Sequence, residues 1–174
     1  MYTENRNSTL ILYSSRGGTA KAYAERMAGM RDCDLMESGQ AKLTQLRAYE
    51  TIIWMGGVYA SQVEGLETLQ RYQKKLTDQR LAIFAIGAAP DEFESKIELP
   101  GELSDIPLFY GRGRWNLKTM GWKDQMMISV LSSALERKPD AVPEWMQQLL
   151  TQEEPQDFME DFYLEPLLDL ISGR

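Results

Sequence analysis

Histidine is absent from the 174 residues, and cysteine occurs once, as Cys33. The first absence removes a Ser-His or Cys-His nucleophile pair, an imidazole general base and the usual hydrolytic zinc site. The second removes an internal disulfide framework and a multi-cysteine metal site. Set in the strand-like stretch DCDLMES, Cys33 reads as a buried, inert thiol. Positive charge is also scarce. With 19 Lys and Arg against 26 Asp and Glu the net charge is −7, so the clustered cations of a nucleic-acid surface are missing. No apolar run approaches the ~20 residues of a membrane span, and no long apolar segment follows a basic start. The expectation is a cytoplasmic globular domain, with no metal site and no assignable catalytic side chain. Its chemistry would come from carboxylates, Tyr, Lys, Arg or a bound cofactor.

What is present is an alternation. STLILYS (8–14), TIIWMGG (51–57) and RLAIFAIG (80–87) are nearly continuous apolar runs, as strands buried on both faces are. DCDLMES (32–38) gives a weaker strand and IPLFYG (106–111) a fifth. Between them, helical spacing recurs from Thr19, over KLTQLRAY, and from Val63 to Leu76, where Leu66, Leu69, Tyr72 and Leu76 share a face. This order predicts a single α/β domain, a doubly wound parallel sheet of five strands. A basic-aromatic loop, RGRWNLKTMGW, follows, then a helix KDQMMISVLSSALER, whose Met126, Met127, Ile128 and Leu131 read most simply as core. Residues 139–174 hold two amphipathic pieces, VPEWMQQLL and DFMEDFYLEPLLDLI, and read as a helical extension packed on the domain.

Function is suggested by where the small-residue turns fall. The first, third and fourth strands end in SSRGGT, MGGVYAS and IGAAP. In an open parallel sheet ligands bind outside the carboxyl ends of the strands, so three such loops would converge on one site. The first leads into a helix N-terminus, which offers oriented amides and a positive dipole end to a phosphate. It can be read in two registers. If its last residue is Ala20, then Tyr23, Ala24, Met27 and Ala28 form a coherent apolar face. If it is Thr19, Arg26 turns toward the sheet. The first choice is favoured, and it leaves alanine where a hydroxyl would help to hold an anion.

This order of segments resembles the flavodoxin family, and is closest to the flavodoxin-domain group that includes the menaquinone-dependent protoporphyrinogen dehydrogenases. The resemblance rests on the SSRGGTA loop, on AYETIIWMGGVYAS (48–61), on IGAAPDE, on LFYGRGRWNLKTMGWKDQMM and on the terminal YLEPLL. It implies a flavodoxin-like sheet of order 2-1-3-4-5 holding FMN noncovalently at its carboxyl edge. The cofactor-binding residues it implies are Ser14, Ser15, Arg16, Gly17, Gly18, Thr19 and Ala20 at the phosphate, with Gly57, Val58, Tyr59 and Ala60 in the second loop. There Tyr59 would stack on the flavin, or simply pack beneath its own loop. Gly87, Ala88 and Ala89 would direct backbone amides at the flavin's polar edge. Arg112, Arg114, Trp115, Lys118 and Trp122 form the one local concentration of cationic and aromatic residues, suited to an acidic planar substrate, a quinone or a partner's carboxylates. They could equally be a solvated loop anchored by its tryptophans. Three functions stay open: an FMN-dependent electron carrier or reductase of a small quinone-like acceptor, served by redox donor and acceptor partners; a protoporphyrinogen dehydrogenase-like oxidoreductase; or a flavin-free binding module on the same fold, which the alanine at position 20 would suit.

Overall fold

The computed structural model describes residues 8–14 and 16–173. Five strands run parallel: β1 (Thr9–Ser14), β2 (Cys33–Glu37), β3 (Thr51–Tyr59), β5 (Arg80–Gly87) and β6 (Leu108–Arg112), in the order β2-β1-β3-β5-β6. A sixth strand, β4 (Gln62–Val63), folds back antiparallel onto the end of β3. With that two-residue strand set aside, the order of the parallel strands is the expected 2-1-3-4-5.

The continuous apolar runs are explained by the register. Leu12, Trp54 and Ile83 align across β1, β3 and β5, as do Tyr13, Met55 and Phe84. Successive side chains point to opposite faces, so alternate residues feed two separate cores. On one face Ile11, Ile53, Met55 and Phe84 meet α1 (Thr19–Met30) and α6 (Glu165–Ser172). On the other, Leu10, Leu12, Trp54 and Ile83 meet Leu46 of α2 (Leu43–Leu46) and Leu69 of α3 (Glu67–Tyr72). Helix α1 buries Ala20, Tyr23, Ala24 and Met27, while Arg26 reaches outward to Asp161 at 3.1 Å. Cys33 is buried, and burial pushes its thiol up to about 11, so it stays protonated near neutrality.

Three expectations change in detail. The helix expected from Val63 starts only at Glu67, because Gly65 adopts φ +79°, and a Cβ there would lie 2.4 Å from that of Ser14. Residues 139–174 divide. Helix α5 (Glu144–Thr151) lies with the preceding helix α4 (Trp122–Arg137), whereas Leu164 and Leu167 enter the same core as α1. Pro166 occupies the first turn of α6, where its missing N–H costs nothing, and Gly173 closes that helix with φ +70°. Finally, α4 has no buried residue, so Met126, Met127, Ile128 and Leu131 are not core.

Between β6 and the last turn of chain before α6, residues 113–160 leave the sheet and return. Their neck is a short antiparallel ribbon of β7 (Arg114–Trp115) and β8 (Gln156–Asp157). Phe158 N donates to the Gly113 carbonyl at 3.1 Å. Tyr23 of α1 closes the neck, its hydroxyl donating to the Arg112 carbonyl and accepting from Glu160 N at 3.3 Å.

Candidate functional site

The loop from β1 into α1 is shaped by Gly18, with φ +79°, a conformation glycine adopts without steric cost. Among the described residues no side chain caps α1, and its first turn carries no acidic residue. The first amide bonded inside the helix is that of Ala22, to the Gly18 carbonyl. The amides of Thr19, Ala20 and Lys21 are thus the orphan donors of a helix start. Cβ atoms at Gly17 or Gly18 would meet nothing within 4 Å, so space is open beside these donors. That donor set fits a phosphate or another anion. Ala20 faces the sheet and contributes no hydroxyl, and Ser15 lies outside the described residues.

Arg16 does not project freely from this loop. Its Nε lies 2.8 Å from Glu64 Oε1 and one Nη lies 3.6 Å from Asp124 Oδ1, while its guanidinium sits 5.2 Å from the centre of the Tyr59 ring. Three parts of the fold meet at one cation: the β1–α1 loop, the β3–α3 connection and α4. Burial raises Glu64 above the usual carboxylate range, Arg16 opposes the rise, and Asp124 and Glu67 add to it. Asp124 Oδ1 is buried and has no hydrogen-bond partner among the described residues, since 3.6 Å is too long for one.

The second loop is a tight hairpin. Val58 pairs with Val63 and Tyr59 with Gln62, and the two residues between, Ala60 and Ser61, both have positive φ (49° and 65°). Strands that twist right-handedly are joined most easily by such a turn, but it commonly uses Asn or Gly rather than alanine and serine. Gly56 is required by contact, because a Cβ there would fall 2.3 Å from the Glu64 carbonyl oxygen.

In the third loop all three carbonyls are satisfied from within the fold. Gly87 O accepts from Gly113 N at 2.8 Å, Ala88 O from Arg112 Nη2 at 2.9 Å, and Ala89 O from the Tyr110 hydroxyl at 2.9 Å. In a planar trans peptide the N–H points opposite to the preceding C=O. The Ala88 and Ala89 amides therefore point away from Arg112 and Gly113, and Pro90 has no amide to offer. The loop is a rigid donor edge with methyl side chains.

The three loops line one cavity of about 760 Å³, closed on its far side by the 113–160 excursion. That volume lies within the range of small-molecule and cofactor sites. One face of α4, Asp124, Met127, Ile128 and Leu131, forms a wall. Trp115 and Trp145 complete it; the first donates from Nε1 to the Leu149 carbonyl at 3.1 Å, the second packs edge-on to Phe93 at 6.0 Å.

Of the residues singled out in the sequence, Ser14, Arg16, Gly17, Thr19, Ala20, Gly57 to Ala60 and Gly87 to Ala89 line the cavity, as do Arg114 and Trp115. Gly18 shapes the turn without lining it. Arg112 turns inward: it braces Ala88, lies 3.9 Å from the centre of the Phe158 ring, and leaves Nε buried without a partner among the described residues. Lys118 and Trp122 lie outside the lining, and Trp122 is 70% exposed. The basic-aromatic loop is therefore not one contact surface. Sequence reasoning missed Glu64, Asp124, Tyr110, Phe93, Trp145 and Met146. The spacing of 124, 127, 128 and 131 was visible as a stripe, but a cavity wall and a core face have the same period.

A doubly wound sheet with three small-residue loops converging on a carboxyl-edge cavity defines an α/β domain of the flavodoxin-like class. Residues 10–141 match a family model described as a flavodoxin domain, and the chain belongs to that family. No curated protein matches it in sequence. Solved structures similar to it include the rubredoxin oxygen:oxidoreductase of Desulfovibrio gigas (14% identity, 62% of this chain and 30% of that one, TM-score 0.47). Others are the two-electron reduced flavodoxin of Megasphaera elsdenii (14%, 59% and 82%, 0.41) and the Trp repressor binding protein of Bacillus subtilis (12%, 60% and 84%, 0.43). The chain spans under a third of the length of the first of these. At such scores the likenesses carry no argument about activity.

Proposed function

We propose that the cavity holds FMN and that the protein is an FMN-dependent redox protein which reduces a small planar acceptor of the quinone class. The observation that carries this reading is the convergence of three different donor environments on one cavity. The uncapped start of α1 suits the phosphate, Tyr59 offers an aromatic face, and the Ala88 and Ala89 amides offer a fixed donor edge to a ring's polar side. Bound FMN would supply the electron chemistry, so the absence of histidine is no obstacle. Losing one neutral hydroxyl contact at position 20 costs about 0.5–1.5 kcal/mol, which weakens phosphate binding by up to roughly tenfold and does not abolish it.

The residues around the ring site divide the remaining work. The α4 wall and the two tryptophans exclude water and present an apolar face to an acceptor. Glu64 has its carboxyl beside Gly57, and burial raises its proton affinity against the pull of Arg16, so it would be the cavity group to hold the proton that accompanies reduction. A porphyrin substrate needs cations for its carboxylates. Of the cations of the basic-aromatic loop the cavity keeps only Arg114 in its lining, already paired with Asp157 at 3.0 Å, so the quinone-like acceptor is the better fit. The donor would be a redox partner in a cytoplasmic setting.

One observation favours a flavin-free binding module instead: Arg16, the cation of the first loop, is already held by two carboxylates. The visible spectrum of the purified protein and an FMN titration followed by fluorescence quenching separate the two. Micromolar binding is expected, and no binding at tens of micromolar would overturn the flavin reading. Turnover of quinones by the loaded protein then tests the acceptor.

A further inference from the structure

Helix α4 is apolar on both sides, and the cavity accounts for only one of them. Trp122, Met126, Val130, Ser133 and Arg137 follow at helical spacing on the outward face. Trp122, Met126 and Val130 are 70%, 63% and 67% exposed, three of the five exposed large apolar side chains among the described residues. An apolar stripe of this kind on one helix of an otherwise well-packed domain marks an interaction surface.

Charge indicates what the surface meets. In a chain of net charge −7, residues 118–138 carry Lys118, Lys123, Arg137 and Lys138 against Asp124 and Glu136, and Asp124 is turned inward to Arg16. Lys123 sits over the Trp122 ring at 5.6 Å. Beside the stripe, a groove of about 500 Å³ runs past Val130, Ala134 and Ala141 to Arg137 and Lys138. Apolar side chains bordered by cations, with tryptophan among them, are the makeup of a helix lying in a membrane interface. A second copy fits poorly. An antiparallel pair of α4 helices centred on Val130 would set Lys123 of one copy opposite Arg137 of the other.

We propose that the outward face of α4 docks the protein on an anionic lipid bilayer, with Trp122, Met126 and Val130 in the interface and Lys123, Arg137 and Lys138 on the headgroups. The other face of α4 is a wall of the cavity, so an apolar acceptor dissolved in the bilayer has one helix to pass. Docking itself requires no FMN.

Cosedimentation of the full chain with vesicles tests this. Binding is expected to mixed phosphatidylcholine–phosphatidylglycerol vesicles, to be lost at high salt, and to be absent with phosphatidylcholine alone. Reversing Lys123 and Arg137 together to Glu lowers partitioning by about tenfold or more. Replacing Trp122, Met126 and Val130 together by Ser also abolishes most of it, with the urea midpoint unchanged as a check on folding. No binding to the anionic vesicles, or binding indifferent to both variants, overturns the proposal. So does a concentration-dependent dimer in sedimentation equilibrium that the triple Ser variant converts to monomer, since the stripe would then be an interface between copies.

Discussion

Helix α1 is twelve residues long and buries four of them against the sheet; α4 is sixteen long and buries none. The first is held by apolar surface removed from water, the second by the rim of a cavity, by α5 and by the Arg16–Asp124 approach. Apolar burial is non-directional and strong, while a partly exposed ion pair contributes about 0–1 kcal/mol. The sheet side of the cavity is thus fixed, and the α4 side is held by terms that a ligand can replace.

The largest effect that sharpens this contrast is expected in the core. Phe84 is fully buried between α1 and the sheet, and Phe84→Ala should cost about 3–5 kcal/mol in urea denaturation. Leu131→Ala, at a half-exposed wall position, should cost about 1 kcal/mol or less while altering ligand binding. Comparable losses at the two sites would break the distinction. Next, Asp124→Asn removes one of Arg16's carboxylates. Amide exchange in α4 should then rise about fivefold while α1 stays unchanged, and equal acceleration in both helices would show that α4 is as integral as α1.

A smaller effect concerns pH. Glu64 has a higher proton affinity folded than unfolded, so its contribution to stability is complete below the usual carboxylate range and is lost as pH rises through its raised folded value. Urea midpoints measured through the carboxylate range toward neutrality should fall less steeply in Glu64→Gln than in the parent chain. Smallest of all, Trp122→Ser alone should leave stability within about 0.5 kcal/mol, because the ring is mostly in water.

The same contrast explains what could be read from the residues. LILY, TIIWM and LAIFAI announce themselves because strands buried on both faces must be apolar throughout, and the loops at their ends inherit a position from them. The face of α1 was legible for the same reason. The role of α4 was not, since Met127, Ile128 and Leu131 keep one spacing whether they face a core or a cavity. Arg16, Glu64 and Asp124 come from three distant segments, and an ion pair leaves no periodic trace. Arg112 looked like a surface cation because its neighbours Arg114 and Lys118 are. Only the fold reveals Phe158 and Ala88 beside it.

The narrow neck of the excursion has a consequence for how such domains diversify. Residues 113 and 158 are hydrogen-bonded to each other, and Arg114 stands opposite Asp157, so the whole of the intervening chain begins and ends at one place. Closing a loop costs only slowly more as it lengthens. The excursion can therefore be shortened, exchanged or grafted as a cassette without rerouting a single strand, and swapping it would rebuild the far wall of the cavity while the three sheet-edge loops keep their sequence.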